Sequence, residues 1–323
     1  VSQFGITACL LEDLAHEAGE MDHFDQENAC RVGEVLRQTG ILPLEVCCRI
    51  DRYDRMTVEA EASRGDRVRL NKGSLCREIS QACGRDFSAP QITMDGDRCR
   101  IVLSEKPVYK AAHGAAQHIC GGGNLCGDSY SVFSDEYGHE ISIISDGMGT
   151  GGRAAVDGAM ASGIMESLLK SGIGFQCALQ LTNAALLARS GDESLATLDV
   201  LSLDLHTGKA VFYKAGSPVS FVRRGGKGQE VEAPSFPIGI LGEAEFARAE
   251  VQLEPGDMIA MVSDGITACG CEWVCGMLEE WPGGDPGELA KRLVQGAQER
   301  RTDGHDDDIT ALVMVMEERS AIK

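Results

Sequence analysis

The chain has 323 residues, a formal net charge of −20, 43% hydrophobic residues and 25% charged residues. This composition is that of a folded globular protein and excludes a disordered one, and the length favours two domains over a single core. No apolar run reaches the roughly 18 residues that a transmembrane helix needs. Because the chain begins at Val1 rather than at methionine, we expect a fragment, with any membrane anchor in a segment outside it.

The acidic charge is concentrated in the C-terminal part. Residues 1–124 contain 15 Lys and Arg against 19 Asp and Glu, whereas residues 125–323 contain 15 against 31. Such a surface repels the phosphate backbone of nucleic acids, so we expect no nucleic-acid partner. Bound divalent cations would invert that charge locally for a single phosphate group.

Thirteen cysteines are scattered along the chain without the regular spacing of a disulfide framework. This pattern predicts a reducing, cytoplasmic environment. Cys269, Cys271 and Cys275 come nearest to a zinc-binding pattern, but no second CxxC motif or nearby histidine completes it. We interpret these residues as ordinary thiols.

The N-terminal part predicts a small α/β unit. Residues 6–39 have the apolar spacing of two helices, which end near Gly40. A further helix and four strands follow, at 74–83, 44–50, 56–62, 91–94 and 99–104. No catalytic constellation falls in these segments. With the hinge-like Gly121-Gly122-Gly123 as a boundary, we predict a regulatory domain over 1–120 and a second domain over 121–318.

The second domain predicts an α+β fold. Strand patterns at 128–134 and 140–145 are followed by two consecutive helices at 153–170 and 174–189. Hairpins, a helix and a last strand then follow, at 198–205, 210–214, 219–223, 287–300 and 309–315. Hairpins produce antiparallel sheets, so we predict two antiparallel sheets flanked by helices, an α-β-β-α sandwich.

Three apolar strands meet aspartates at one end. Asp146 and Asp264 follow the apolar runs 141–145 and 258–263, and the cluster 306–308 leads into the last strand. A single Asp-Gly pair is usually a turn. Strands that are apolar at nearly every position are buried on both faces, however, and carboxylates beside them require cations or good partners. Mg²⁺ and Mn²⁺ prefer oxygen ligands, and two such ions can promote displacement at phosphorus.

Six motifs occur in the order found in the metal-dependent protein phosphatase (PPM) family. They are Gly127-Asp128-Ser129-Tyr130, Ser145-Asp146-Gly147-Met148-Gly149, Ser194–Asp199, Pro237-Ile238-Gly239, Ser263-Asp264-Gly265 and Asp306-Asp307-Asp308-Ile309-Thr310. The chain resembles the sporulation members of this family, strongly over about 120–316. The resemblance implies a phosphoserine/phosphothreonine phosphatase that uses two Mn²⁺ or Mg²⁺ ions. Its implied substrate is a phosphorylated anti-anti-sigma factor, whose dephosphorylation releases a compartment-specific sigma factor.

The resemblance also implies roles for individual residues. Asp146 is similar to the ligand that bridges the two ions, and Gly147 to the residue whose backbone carbonyl binds one of them. Asp264 and Asp307 resemble ligands of the other ion, with Asp308 as the alternative to Asp307. A further ligand position is occupied by Asp128, where many relatives have glutamate, so we expect it to reach its ion through water or from a greater distance.

The sequence departs from its relatives at two positions. Asn124 stands where many relatives have a phosphate-binding arginine, which leaves the metals or another cation such as Arg153 to hold the phosphate. Met148 replaces a histidine of eukaryotic relatives and cannot donate a proton, so we expect a metal-bound water to protonate the leaving serine oxygen. His305 lies near the acidic cluster, and we interpret it as a surface residue.

Several alternatives stay open at this point. Gly147-x-Gly149-x-x-Gly152 fits a dinucleotide-binding fingerprint, but hairpins rather than βαβ units follow it. A non-catalytic scaffold that binds cell-division or membrane proteins, a stress-response phosphatase of the same family and a phosphatase of small metabolites are the other candidates. A homodimer and cell-division proteins are further candidate partners.

Overall fold

We analysed a computed structural model of the chain. It describes residues 21–319 except 52, 64–70, 97, 123–125, 136, 148–151, 190–194, 243 and 302–306, together with Thr7, Ala8, Leu11 and Ala15. The residues form two compact units, one of 12–107 with 136–138 and one of 1–11, 108–135 and 139–323. Among the described residues, no helix is both long enough and apolar enough to span a membrane.

Over its described residues from 21 to 104, the N-terminal unit is a five-stranded antiparallel sheet with two helices. Its elements are β1 (Met21–Phe24), α1 (Gln26–Gln38), β2 (Pro43–Asp51), β3 (Met56–Ser63), α2 (Lys72–Cys83), β4 (Gln91–Asp95) and β5 (Arg98–Ser104), with strand order β1-β2-β3-β5-β4. Asp25 and Asn71 cap the two helices by accepting backbone N–H groups of the first turn. Alternate residues of β3 are buried, as expected for a sheet with one covered face.

The second unit contains two further five-stranded antiparallel sheets. Its elements are β6 (Tyr109–His118), β7 (Asp128–Ser134), β8 (His139–Asp146), α3 (Gly152–Lys170), α4 (Phe175–Arg189), β9 (Leu198–Asp204), β10 (Lys209–Ala215), β11 (Ser220–Arg224), β12 (Lys227–Val231), β13 (Ala247–Gln252), β14 (Met258–Val262), α5 (Asp264–Thr267), α6 (Glu272–Glu280), α7 (Pro286–Arg300) and β15 (Ile309–Glu318). The strand orders are β13-β10-β9-β8-β7 and β12-β11-β14-β15-β6.

These elements stack in four layers. Side chains such as Ile144, Phe212 and Met261 fill the space between the two sheets. The outer face of the first sheet packs on α3 and α4 through residues such as Met165, and that of the second packs on α6 and α7 through residues such as Leu293. Central strands are therefore buried on both faces, which explains why β8 is buried from Glu140 to Ser145 and why β14 is apolar at every position. The predicted α-β-β-α sandwich is confirmed.

The structure corrects the sequence interpretation at the beginning of the chain and near residue 110. Residues 21–24 lie within the span 6–39 that the sequence assigns to two helices, but they form β1, which pairs with the end of β2. The compact units separate between 107 and 108 rather than after 120, because β6 pairs along its whole length with β15. The assignment of a regulatory role to 1–120 and a catalytic role to 121–318 stays a prediction.

Candidate metal centre

Two aspartates face each other across neighbouring strands of the first sheet. Asp128 is the first residue of β7, Asp146 is the last residue of β8, and the antiparallel register places them directly opposite. Only 5% of the Asp128 surface is exposed. The strand pairing thus brings together two carboxylates that are separated by a whole hairpin in sequence.

Close packing of α3 fixes the backbone that follows Asp146. A Cβ atom at Gly147 would lie 1.9 Å from the carbonyl oxygen of Ala154, and one at Gly158 would lie 2.7 Å from that of Gly127. These approaches are closer than any side chain permits, so only glycine fits at either position. The helix consequently lies against the strand ends, and the Gly147 carbonyl keeps a defined position next to Asp146.

The second pair of acidic residues comes from the other sheet. Asp264 is the first residue of the short helix α5, directly after β14, and Asp307 precedes β15. A Cβ atom at Gly265 would lie 2.4 Å from the Asp308 carbonyl oxygen, which shows how closely the two segments approach. The Arg301 guanidinium joins them, because its Nη2 donates to the Gly265 carbonyl at 3.2 Å and lies 3.4 Å from Asp307 Oδ2.

Asp307 and Asp308 differ in what their carboxylates contact. Asp308 accepts hydrogen bonds from the backbone amides of Cys120, at 2.9 Å, and Gly127, at 2.6 Å. Asp307 has 48% of its side chain exposed. Asp307 in turn accepts the Asp308 amide at 3.0 Å through Oδ1 and lies near Arg301 through Oδ2. The choice between Asp307 and Asp308 as the ligand stays a prediction.

Burial and mutual repulsion raise the pKa values of three of these carboxyls. Burial raises the pKa of Asp146 to about 8, assisted by the negative charges of Asp128, Asp264 and Asp307. Burial likewise raises the pKa of Asp128 to about 6, although hydrogen bonds from Thr310 and Ser263 oppose the shift. The pKa of Asp264 is raised by burial and then by Asp307. The four aspartates thus form one electrostatically coupled cluster.

Thr197, the residue before β9, holds the backbone of Asp146. The amide of Asp146 donates to Thr197 Oγ1 at 3.1 Å, and its carbonyl accepts from the Thr197 amide at 2.8 Å. The Ser145 hydroxyl donates to the Thr197 carbonyl at 2.8 Å. The Thr197 hydroxyl therefore replaces one backbone hydrogen bond of the sheet beside Asp146, the predicted bridging residue. These contacts involve only the backbone of Asp146 and not its carboxylate.

The chemistry of this donor set fits Mn²⁺ or Mg²⁺. The cluster offers carboxylate oxygens and a backbone carbonyl, the ligands that hard divalent cations prefer. Within the described residues, no three His, Cys, Asp or Glu side chains are arranged to hold a metal ion by themselves. Mg²⁺ usually binds through one or two carboxylates and keeps several waters, so it does not require such a group. Cations would also relieve the repulsion that raises the pKa of Asp146.

The structure describes some of the predicted site residues and leaves others outside its described part. Asp128, Asp146, Gly147, Asp264 and Asp307 all lie at the sheet ends described above. Predictions about Asn124, Met148 and His305, and about the side chain of Arg153, fall outside the residues or side chains that the structure describes. The dinucleotide-binding alternative is wrong, because β8 and β9 are antiparallel neighbours rather than parallel strands of a βαβ unit.

Sequence reasoning missed the residues that support the aspartates. These residues are Gln117, Thr197, Ser263, Arg301 and Thr310. A signal was present for two of them, since Ser263 and Thr310 are polar residues at the ends of apolar strands and are almost completely buried. The others had no local signal, because their contacts depend on pairing between distant segments.

Comparison with known proteins identifies the family. Residues 138–317 match the sequence profile of the stage II sporulation protein E (SpoIIE) family. The chain belongs to the SpoIIE family. It is 33% identical over 220 residues to stage II sporulation protein E of Bacillus subtilis, an alignment that covers 66% of this chain and 27% of that protein. The chain therefore spans about a quarter of the length of this SpoIIE relative.

Two other comparisons extend the SpoIIE assignment. A solved structure of the PP2C phosphatase domain and a fragment of the regulatory domain of Bacillus subtilis SpoIIE has a TM-score of 0.67 and 25% identity, covering 96% of this chain and 93% of that one. The phosphoserine phosphatase RsbU of Bacillus subtilis is 26% identical over 150 residues, 46% of this chain and 44% of that protein. The sandwich described above is thus the PP2C phosphatase fold of the SpoIIE family.

Proposed function

We propose that the chain is a Mn²⁺- or Mg²⁺-dependent protein serine/threonine phosphatase. The observation that carries this proposal is the cluster of Asp128, Asp146, Asp264 and Asp307 at adjacent sheet ends. Burial and like charge raise the pKa of Asp146 to about 8, an arrangement that is unfavourable for stability and suited to binding cations. The SpoIIE family membership and its PP2C phosphatase fold support the same activity.

Different residues of the cluster would bind the two ions. Asp146 would bridge them, because its carboxylate is coupled both to Asp128 and to the Asp264 and Asp307 pair. The Gly147 carbonyl would add a ligand on the side of Asp128. Bound divalent cations supply charge neutralisation at the phosphoryl group and ionise an attacking water near neutral pH.

The remaining groups of the chain position these ligands. Arg301 connects Asp307 to the Gly265 backbone and so keeps the two acidic segments of the second sheet together. Asp308 fixes the Gly127 amide, one residue before Asp128. A site whose ligands are held in this way loses less conformational freedom when the ions bind, which favours a defined in-line geometry.

We further propose that the substrate is a phosphorylated anti-anti-sigma factor, and that its dephosphorylation activates a compartment-specific sigma factor during sporulation. Two observations support this substrate class. The family match is to a sporulation protein, and one curated relative is named a phosphoserine phosphatase. The N-terminal unit would act as a regulatory domain, as the resemblance implies. All five predicted metal-site residues are present, which argues against a scaffold that has lost activity.

The test is a phosphate-release assay on a phosphorylated anti-anti-sigma factor, with Mn²⁺ and with EDTA. We expect release that rises with Mn²⁺ into the millimolar range and stops in EDTA. A parallel assay with p-nitrophenyl phosphate separates a protein phosphatase from a metabolite phosphatase, because only the former prefers the phosphoprotein. Release that is unchanged by EDTA, or absent from the phosphoprotein at all Mn²⁺ concentrations, would refute the proposal.

A further inference from the structure

Asp128 lies at the end of a chain of polar side chains that crosses from one sheet to the other. The Thr310 hydroxyl, on β15, donates to Asp128 Oδ2 at 2.7 Å. The Gln117 amide nitrogen, on the paired strand β6, donates to Thr310 Oγ1 at 3.0 Å. Thr310 is fully buried and Asp128 is 5% exposed, so neither can exchange these partners freely with water.

The direction of each hydrogen bond in this chain is fixed by its neighbours. Gln117 Nε2 also lies 3.3 Å from the main-chain carbonyl of Asp128, which can only accept. The atom of Gln117 that faces both groups must therefore be the nitrogen, which has two N–H groups to donate. Cys126 Sγ lies 3.6 Å from the same nitrogen as a third, weaker acceptor. Because the Thr310 oxygen accepts from Gln117, its single proton is left for the carboxylate of Asp128.

Ser263 holds Thr310 through its backbone. Ser263 Oγ accepts the backbone amide of Thr310 at 2.8 Å, and Ser263 is 1% exposed. Gln117 and Ser263 therefore contact Thr310 at its hydroxyl and at its amide, and the Thr310 hydroxyl in turn donates to Asp128.

We propose that Gln117, Thr310 and Ser263 are positioning residues that hold the carboxylate of Asp128 in the orientation in which it binds a cation. This inference rests on the proposed function, since it takes Asp128 to be a metal ligand. Groups that hydrogen-bond to metal-binding carboxylates typically contribute 10- to 100-fold to metal affinity or activity. The role of Gln117 is indirect. Because Gln117 donates to the Thr310 hydroxyl and offers it no acceptor, the Thr310 proton remains in the hydrogen bond to Asp128.

The experiment compares Mn²⁺ binding by variants of the 323-residue chain, measured by the electron paramagnetic resonance of free Mn²⁺. Thr310→Val removes the hydroxyl at constant shape, and we expect binding to weaken by about 10- to 100-fold. Thr310→Ser keeps the hydroxyl and should stay within about threefold of the parent. The Mn²⁺ concentration for half-maximal activity should rise in Thr310→Val in parallel, with a smaller change in kcat at saturating Mn²⁺.

Gln117 offers a test that does not depend on a buried substitution, because its side chain is exposed at the sheet end. Gln117→Glu replaces the donor with an acceptor that competes for the Thr310 proton, so we expect weaker Mn²⁺ binding than in the matched Gln117→Met variant. In the Thr310→Val background the Gln117→Glu change should add little, because the group through which it acts is absent. If Thr310→Val fails to fold, Gln117→Glu carries the test.

Asp128→Asn separates failure of this inference from failure of the proposed function. Mn²⁺ binding that is unchanged in Asp128→Asn would show that Asp128 is not a ligand and would remove the basis of the inference. Weakened binding in Asp128→Asn, with Thr310→Val and Gln117→Glu both within threefold of the parent, would overturn the positioning role alone. Loss in Thr310→Val without rescue in Thr310→Ser would also overturn it, because a packing defect would then explain the loss.

Discussion

The acidic side chains described here have different charged neighbours in the two units. On the sheet of the N-terminal unit, Glu59 pairs with Arg49 and Arg100, and Glu61 pairs with Arg98 at 3.1 Å. At the sheet ends of the second unit, carboxylates face other carboxylates, and burial with repulsion raises their pKa values. Paired charges on an open face contribute to structure. A buried cluster of one sign is stable only with a further partner, and the chemistry of its ligands indicates cations.

The second unit also contains a buried carboxylate, Asp199, whose charge is neutralised by an ion pair with Lys214. Asp199 and Lys214 are each 1% exposed and lie 2.6 Å apart, and Ser220 donates to the same Asp199 oxygen. Both residues lie on the sheet that carries Asp146. Asp146, in contrast, is influenced by the carboxylates of Asp128, Asp264 and Asp307, and substitutions in the two units examine this contrast.

The largest expected effect is on hydrolysis by Asp146→Asn. A neutral amide cannot bridge two cations whose charge it should offset, so we expect the rate on phosphoprotein to fall more than about a thousandfold, roughly 4 kcal/mol in activation free energy. Asp264→Asn and Asp307→Asn should lose nearly as much. Both tryptophans, Trp273 and Trp281, lie in the second unit, so fluorescence-detected unfolding reports whether it remains folded. A rate within tenfold of the parent would contradict the bridging assignment.

The next effect is on stability. Lys214→Ala leaves the buried Asp199 carboxylate without its ion pair, and we expect the free energy of unfolding to fall by about 3 to 5 kcal/mol. Lys209→Ala is the matched control, because Lys209 lies on the same strand and pairs with the exposed Glu250. Urea titration followed by tryptophan fluorescence distinguishes them. Equal midpoints for the two variants would show that burial does not decide the contribution of these pairs.

The smallest effect belongs to the N-terminal sheet. Arg98→Ala removes a pair in which the arginine is 65% exposed and Glu61 is 37% exposed. Exposed pairs contribute about 0 to 1 kcal/mol, so we expect a small shift in thermal unfolding followed by circular dichroism. The Mn²⁺-dependent rate should not change. A loss of hydrolysis comparable to that of Asp146→Asn would show that the charges of the two units are functionally coupled.

The sandwich and the acidic strand ends were predictable because their signals are local. The central strand β14 is apolar throughout, and an aspartate that follows such a run is conspicuous. Strand β6 was missed because its Ala- and Gly-rich residues, 109–118, have no clear alternation, and it is stabilised by β15, which lies nearly 200 residues later. β1 was missed because four residues beside a helix are too few to define a period.

The supporting groups of the site depend on contacts that no sequence period encodes. Gln117 reaches Asp128 only because β6 and β15 are paired and because the two sheets meet at this end. Thr197 holds the backbone of Asp146, because its hydroxyl accepts the Asp146 amide in place of a backbone carbonyl, and the Ser145 hydroxyl donates to the Thr197 carbonyl. The sequence thus predicts which groups carry the chemistry, whereas the tertiary structure determines which residues fix their orientation.

The central claim is that the carboxylate cluster exists to bind cations, and the pH dependence of stability tests it most directly. In the folded, metal-free protein the pKa values of Asp128 and Asp146 are raised to about 6 and about 8 from an ordinary value of 3.8. A carboxyl with a raised pKa binds its proton more tightly when folded, so its stabilisation is complete below pH 3.8 and is lost as the pH rises through the folded values.

The measurement is the free energy of unfolding of the second unit, followed by tryptophan fluorescence at pH 5 and pH 8 with EDTA and with Mn²⁺. We predict that stability in EDTA falls from pH 5 to pH 8 and that about 10 mM Mn²⁺ raises it at pH 8. For a millimolar dissociation constant the gain is about 1.4 kcal/mol per site. Asp146→Asn should fall less with pH and gain less from Mn²⁺. Equal stability at pH 8 with and without Mn²⁺ in the parent would contradict the account.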